Sequence, residues 1–391
     1  MKKTELMAPA GDFSTLIAGI NAGADAIYFG LKDFNMRYAA KNFNLSDLKK
    51  INKICGKKVK KYLTLNTITY DNEIKRIEDI IKKVKGKVDA IICWDLAVVQ
   101  LCKKYKIPFF ISTQASVSNT YSAIFYKKFG AKRIVLAREL NLKQIKDISK
   151  IIDTEVFIHG AMCVSISGRC FTSQFLFNKS ANRGECLHPC RRSYTLTDED
   201  NNQLKLENNR VMSAKDLCTL PFIEQLKKAG VKAFKIEGRN RDARYVDTVV
   251  RVYRKALDKK LSKKEIVESM KELDRVYNKG FSSGFYLGKP LPTDFSKIES
   301  SSAKEKKHFI GKVFHFFPKV KVAGIKLVSD LKLGDEIVVI GKTTGVVKTK
   351  VSRIESNNKS IQKAEKTQSI GIKVPSLVRK NDEVYVIKKR R

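Results

Sequence analysis

Along the first 250 residues, short apolar runs alternate with segments whose apolar residues recur at helical spacing. Leu6–Ala8, Ala26–Phe29, Tyr62–Asn66, Ala90–Trp94, Phe109–Thr113, Ile134–Arg138, Val156–His159 and Ala233–Glu237 read as eight strands. Gly11–Asp12 caps a first helix with Phe13, Leu16, Ile17 and Ile20 on one face, stopped at Asn21–Gly23. Further helices are predicted over Leu45–Cys55, Asn72–Val84, Ala97–Tyr105, Thr120–Phe129, Leu142–Ile152, Phe222–Ala229 and Arg244–Leu257. Apolar strands alternating with helices argue for a parallel sheet. Eight such units favour a closed (β/α)8 TIM-like barrel; a doubly wound sheet is the alternative, since periodicity does not show closure.

The rhythm breaks between residues 160 and 232, an insertion in which Arg192–Leu196 and Gln203–Leu206, separated by TDEDNN, read as a hairpin. A helix is expected over Ser262–Tyr277, with Ser262 and Glu265 at capping-box spacing, and a loop over Phe281–Pro292. Beyond residue 308 the character changes. Val313–Phe317, Glu336–Ile340, Gly345–Lys350 and Glu383–Ile387 are β-like runs split by Gly-Asp, Lys-Thr-Thr-Gly and Lys-Asn-Asp, which predicts a small β-barrel. The expected organisation is a barrel over residues 1–300 carrying the insertion, then a small basic β-barrel domain over 308–391.

Charge sharpens this picture. Lys and Arg number 78 against 40 Asp and Glu, a net charge of +38, and the chain closes on KKRR. A polyanion, RNA or DNA, is the natural partner, although much of the lysine lies on helix faces where solvated charge is ordinary. No apolar run reaches the length of a membrane span. MKKTELMAPAGD has no long apolar stretch of the signal-peptide kind, so a reducing, cytoplasmic home is expected.

The densest chemistry lies in EVFIHGAMCVSISGRCFTSQFLFNKSANRGECLHPCRR, which holds Cys163, Cys170, Cys186 and Cys190; Cys218 follows in KDLC. Cys55, Cys93 and Cys102 sit in apolar patterns and read as small core hydrophobes. The clustered thiols have Ser, Arg, Asn and Gly as neighbours, which is not a core pattern. A disulfide framework suits a secreted chain. Zinc favours a close knuckle, met only by Cys186 and Cys190. An iron–sulfur cluster takes four thiolates and tolerates irregular spacing. Arg169, Arg183, Arg191 and Arg192 surround these cysteines and suit cluster charge, a carboxylate or a phosphate.

A barrel gathers its chemistry at the C-terminal ends of its strands. Here the sequence offers Asn66, Trp94–Asp95, Gln114, Arg138–Glu139, His159–Gly160 and Glu237–Arg239. His159, Glu139, Glu237 and Arg239 are the catalytic candidates, and Asn66, Gln114, Arg138 and Arg169 the substrate-binding ones. His159 suits a general base, a hydrogen-bond donor or an orienting group. Glu139 and Arg239 can equally cap or bridge strands. The sequence has no H-E-x-x-H helix, Walker loop or G-x-G-x-x-G.

The segments EVFIHGAMCVSISGRC, NRGECLHPCRRSY, KDLCTLPFIEQLKKAGVKAFKIEGR and ELMAPAGDFSTLIAGINAGADAIYFG closely resemble peptidase family U32, the collagenase-like protease family, over about residues 4–290. The C-terminal segment resembles the small translation-factor-like β-barrel of some members. The family name implies proteolysis. The resemblance also implies oxygen-independent hydroxylases carrying a four-iron four-sulfur cluster, acting on a tRNA uridine, an rRNA cytidine or a quinone precursor, with prephenate as hydroxyl donor in the RNA-modifying branch. By motif, Cys163, Cys170, Cys186 and Cys218 are the implied cluster ligands, with Cys190 as alternate. Three readings follow: an RNA hydroxylase, a peptidase, and an RNA-binding protein with a structural cluster.

Overall fold

The computed structural model describes residues 4–166, 169–206, 212–298, 300–357 and 359–390. Ser167 and Gly168 of the cysteine stretch and Arg391 of the closing KKRR lie outside them.

Eight parallel strands close into a barrel. They are β1 (Glu5–Ala10), β2 (Ala26–Gly30), β3 (Lys60–Thr64), β4 (Ala90–Cys93), β5 (Phe109–Ile111), β6 (Arg133–Val135), β7 (Thr154–Gly160) and, after the insertion, Ala233–Ile236. That last strand pairs with β1 on one side and β7 on the other, which completes the ring the alternation suggested. Each strand is buried almost throughout because helices cover the outside. The first helix, Phe13–Asn21, starts as its capping signal requires: the Asp12 carboxylate accepts the Thr15 N–H at 2.9 Å.

The barrel interior is not purely apolar. Arg133 reaches Glu5 at 2.7 Å and Glu155 at 3.3 Å, and Lys235 reaches Glu155 at 2.8 Å. Arg133, Lys235 and Glu155 come from strands whose neighbours are apolar, so the charges satisfy one another inside the ring.

The insertion holds the expected hairpin, β8 (Tyr194–Thr197) against β9 (Gln203–Leu206). It then adds β10 (Asp216–Cys218), which pairs antiparallel with the end of β7, Cys218 opposite His159. Phe281–Pro292, expected as a loop, begins with a short strand, Phe281–Ser282, laid parallel to β10. The helix after residue 262 has its capping box but ends earlier than expected, at Asp274.

Residues beyond 304 form an antiparallel sheet around a separate apolar core. Its central strand, Glu305–Phe317, lies between Val322–Leu327 and Glu383–Lys389. Val322–Leu327 and Ser369–Lys373 were not among the expected runs. Lysines and glycines interrupt their alternation, so their period-two signal is weak. The sheet packs on the barrel: Val338 and Ile340 belong to the barrel's own core, and Lys348 meets Asp247 at 2.9 Å. Gly345 (φ 74°) sits directly on Ile17 and Ala18 of the first helix, where a Cβ would collide. Among the described residues no helix is long and apolar enough to cross a membrane.

Candidate active site

The C-terminal ends of the strands open into a cavity of about 190 Å³, roofed by the insertion and partly open to solvent. Two glycines set the roof. Gly160 (φ 106°) turns the chain off β7 against the Glu237 backbone, and Gly184 (φ 91°) brings the loop before Cys186 onto Asn35 and Met36. Arg191 ties the roof down, donating to Met162 O at 2.6 Å and Ala214 O at 2.6 Å.

Cys163, Cys170, Cys186 and Cys190 all line this cavity. Cys170 Sγ lies 3.2 Å from Thr172 Oγ1, and the Cys186 sulfur accepts the His188 N–H at 3.4 Å. Burial pushes the Cys186 and Cys190 thiols up; Cys163 and Cys170 push both further, as neighbours sharing one space do. Among the described residues no three Cys, His, Asp or Glu side chains converge on a point as ligands of one ion.

Cys218 is not brought to this group, although the resemblance implied it as a ligand and Cys190 as the alternate. Its strand pairs with the end of β7, so its side chain faces away from the cavity into packed helices. There its sulfur lies 3.6 Å from Tyr253 Oη and 3.6 Å from Met270 Sδ, and burial pushes its thiol up to about 11.

His159 shares that enclosure. Its ring is buried among Tyr245, Tyr253 and Phe281 rather than facing the cavity, with Nδ1 3.4 Å from Tyr253 Oη. Burial lowers its pKa to about 3, so it stands neutral at physiological pH. The unfolded chain takes up a proton near pH 6.5 that the fold refuses, so stability falls as pH drops from there toward 3. His159→Phe should lose about 2 kcal/mol less stability than the parent between pH 7 and pH 5, measured by urea unfolding. An equal loss in both proteins would show that His159 is not held neutral.

The lining of the cavity also carries charge. Glu237 is buried and meets Arg37 through Nε at 3.0 Å and Nη2 at 2.9 Å. Burial alone would raise its pKa; Arg37, Arg138 and Arg239 outweigh that and hold it at about 2. Arg138 lies flat on Phe157, 4.0 Å from the ring centre, and donates from Nη1 to Ala161 O at 2.8 Å. Its buried Nε has no partner among the described residues. Asn66 and Gln114 also line the cavity, their side chains 3.5 Å apart.

The other expected residues lie elsewhere. Glu139 is exposed, just past the strand end, and does not line the cavity. Arg239 is buried beneath the wall, where Nη1 donates to Asn35 Oδ1 and Thr64 Oγ1, each at 3.0 Å. The same Asn35 oxygen accepts the Arg37 N–H at 2.9 Å, so Arg239 positions Arg37 through Asn35. Arg169 lines an adjoining hollow, over Trp94. Arg37, Tyr28 and Lys235 line the cavity without having been expected. Tyr28 and Lys235 sit within apolar strands, and Arg37 follows β2 in a segment with no periodicity to flag it.

The chain matches the description "Peptidase family U32" over residues 11–295. It is 41% identical to an uncharacterized protease of Methanocaldococcus jannaschii over 99% of both chains. It is 40% identical to a collagenase of Porphyromonas gingivalis, over 99% of this chain and 98% of that one. With the tRNA hydroxylation protein P1 of Bacillus subtilis the identity is 32%, over 87% of this chain and 84% of that one. Barrel, roof and matched sequence coincide over the same residues, and the chain belongs to peptidase family U32.

Proposed function

We propose that the chain is an iron–sulfur-dependent hydroxylase of a nucleobase in tRNA or rRNA, with a small carboxylate, prephenate being one, as hydroxyl donor. The observation that carries this reading is that four thiols and the side chains of Arg37, Arg138 and Arg191 line one cavity. Four thiols on one cavity are the number that a four-iron cluster takes. Cys163, Cys170, Cys186 and Cys190 would hold a four-iron four-sulfur cluster, and Arg37 and Arg191 lie close enough to offset its negative charge. Such a cluster supplies a redox or Lewis-acid centre when bound.

The residues themselves do the positioning. Arg138, whose side chain lines the cavity, is placed to take the donor's carboxylate. Glu237 stays ionised at about 2 and is therefore an acceptor for a substrate N–H or O–H, not a proton reservoir. Converting C–H to C–OH is a two-electron oxidation, so the donor must accept both electrons as its oxygen leaves. A base can reach this depth only out of its stack, and a chain of net charge +38 attracts the strand that carries it.

A peptidase reading also stands in the family, through relatives named protease and collagenase. A cysteine peptidase needs a thiol partnered by a histidine ring. Here the Cys170 and Cys186 contacts are to a hydroxyl and a backbone N–H. Anaerobically purified protein should be brown with about four irons per chain. RNA from a deletion strain should lack one modification with the mass of a single oxygen. Colourless, zinc-loaded protein, or unchanged RNA together with peptide cleavage by cluster-free protein, would overturn the proposal.

A further inference from the structure

A second hollow adjoins the cavity and shares Met36 and Gln114 with it as a common wall. It encloses about 340 Å³ and is lined by Trp94, Phe171, Ile68, Arg169 and Asn182 besides. Trp94 is half-buried and fixed in orientation: its indole Nε1 donates to Asn66 O at 2.9 Å. Phe171, at the start of the short roof helix, is 74% exposed, an aromatic ring with little packing of its own. Arg169 lies 5.2 Å from the Trp94 ring centre, held by one hydrogen bond to Gln114 O at 2.9 Å.

A mostly apolar hollow with aromatic rings and a few polar groups suits a nucleobase, whose faces stack and whose edge hydrogen-bonds. Arg169 adds the charge that an adjoining phosphate requires. We propose that this hollow receives the nucleotide next to the target base, stacked between Trp94 and Phe171. The hollow would hold the strand in register while the target base enters the cavity, and it would read sequence context through Gln114, Arg169 and Asn182. This rests on RNA being the substrate, so the test must separate the two ideas.

Trp94 is the only tryptophan in the chain, which makes its emission a direct reporter. Full-length, cluster-loaded protein is titrated with a short single-stranded oligoribonucleotide, with binding followed independently by anisotropy of a label on the RNA. Saturable quenching of Trp94 at the same midpoint as the anisotropy change is expected. Phe171→Ala should weaken binding roughly tenfold, the size of one lost stacking aromatic, with iron content and unfolding temperature unchanged; Phe171→Tyr should restore it. RNA binding without quenching, or equal affinity in Phe171→Ala, would overturn the subsite while leaving the RNA substrate standing. No RNA binding by either signal would overturn both, as would quenching by a collagen peptide but not by RNA.

Discussion

Alanine at Cys163, Cys170, Cys186 or Cys190, one at a time, should leave anaerobically purified protein with little iron and no hydroxylation in a complemented deletion strain. Four thiolates that hold one centre fail together, because the loss of one ligand opens it to solvent and oxidation. Cys218→Ala should instead keep its iron. It removes a sulfur packed on Tyr253 and Met270, at a cost in stability on the order of 1 kcal/mol and no change in the visible spectrum. The informative comparison is Cys190 with Cys218. Iron retained in Cys190→Ala and lost in Cys218→Ala would reinstate the ligand set that the motif resemblance implied.

The second large effect is expected at Arg37. Its guanidinium is the direct partner of buried Glu237, and its side chain keeps 37% of its surface exposed. Arg37→Met should abolish modification and destabilise the fold by on the order of 1–3 kcal/mol, less than a fully buried pair because one partner meets water. Without Arg37 the Glu237 pKa rises. The acid loss of stability, which in the parent runs from the unfolded value near 4.3 down to about 2, should then shrink as the two values draw together. Adding Glu237→Gln should recover stability, since no buried charge is left unpaired, yet should not recover modification. Recovery of both would mean the pair only holds the fold together.

The sequence made the barrel legible because each of its strands carries an apolar run ending in a polar residue or a turn. That boundary also named Asn66, Gln114, Arg138 and Glu237 as rim residues, and all four line the cavity. The same rule placed His159 there and missed. The antiparallel strand Asp216–Cys218 adds itself beside the end of β7, and Phe281 and Tyr253 close over the ring. Nothing local in the sequence announces those long-range packings. Arg37 was missed for the opposite reason: its partner lies 200 residues away, and pairings of that separation leave no periodic trace. Cysteine spacing named the five candidate thiols, but which of them share the cavity depends on the course of the insertion in space.

The contact between Gly345 and the first helix has a consequence for how the chain is made. Ile17 and Ala18 leave the ribosome long before the strand that covers them, which follows more than 300 residues later. At ~5–20 residues per second the interval is on the order of tens of seconds. During it the barrel's outer face, along with Val338 and Ile340's future berth, stands open to water and to other nascent chains. Contacts this distant in sequence form late and slowly. A chaperone that shields apolar surface should therefore matter most to the full-length chain during synthesis, and early termination in the last strands should yield aggregates rather than a working barrel.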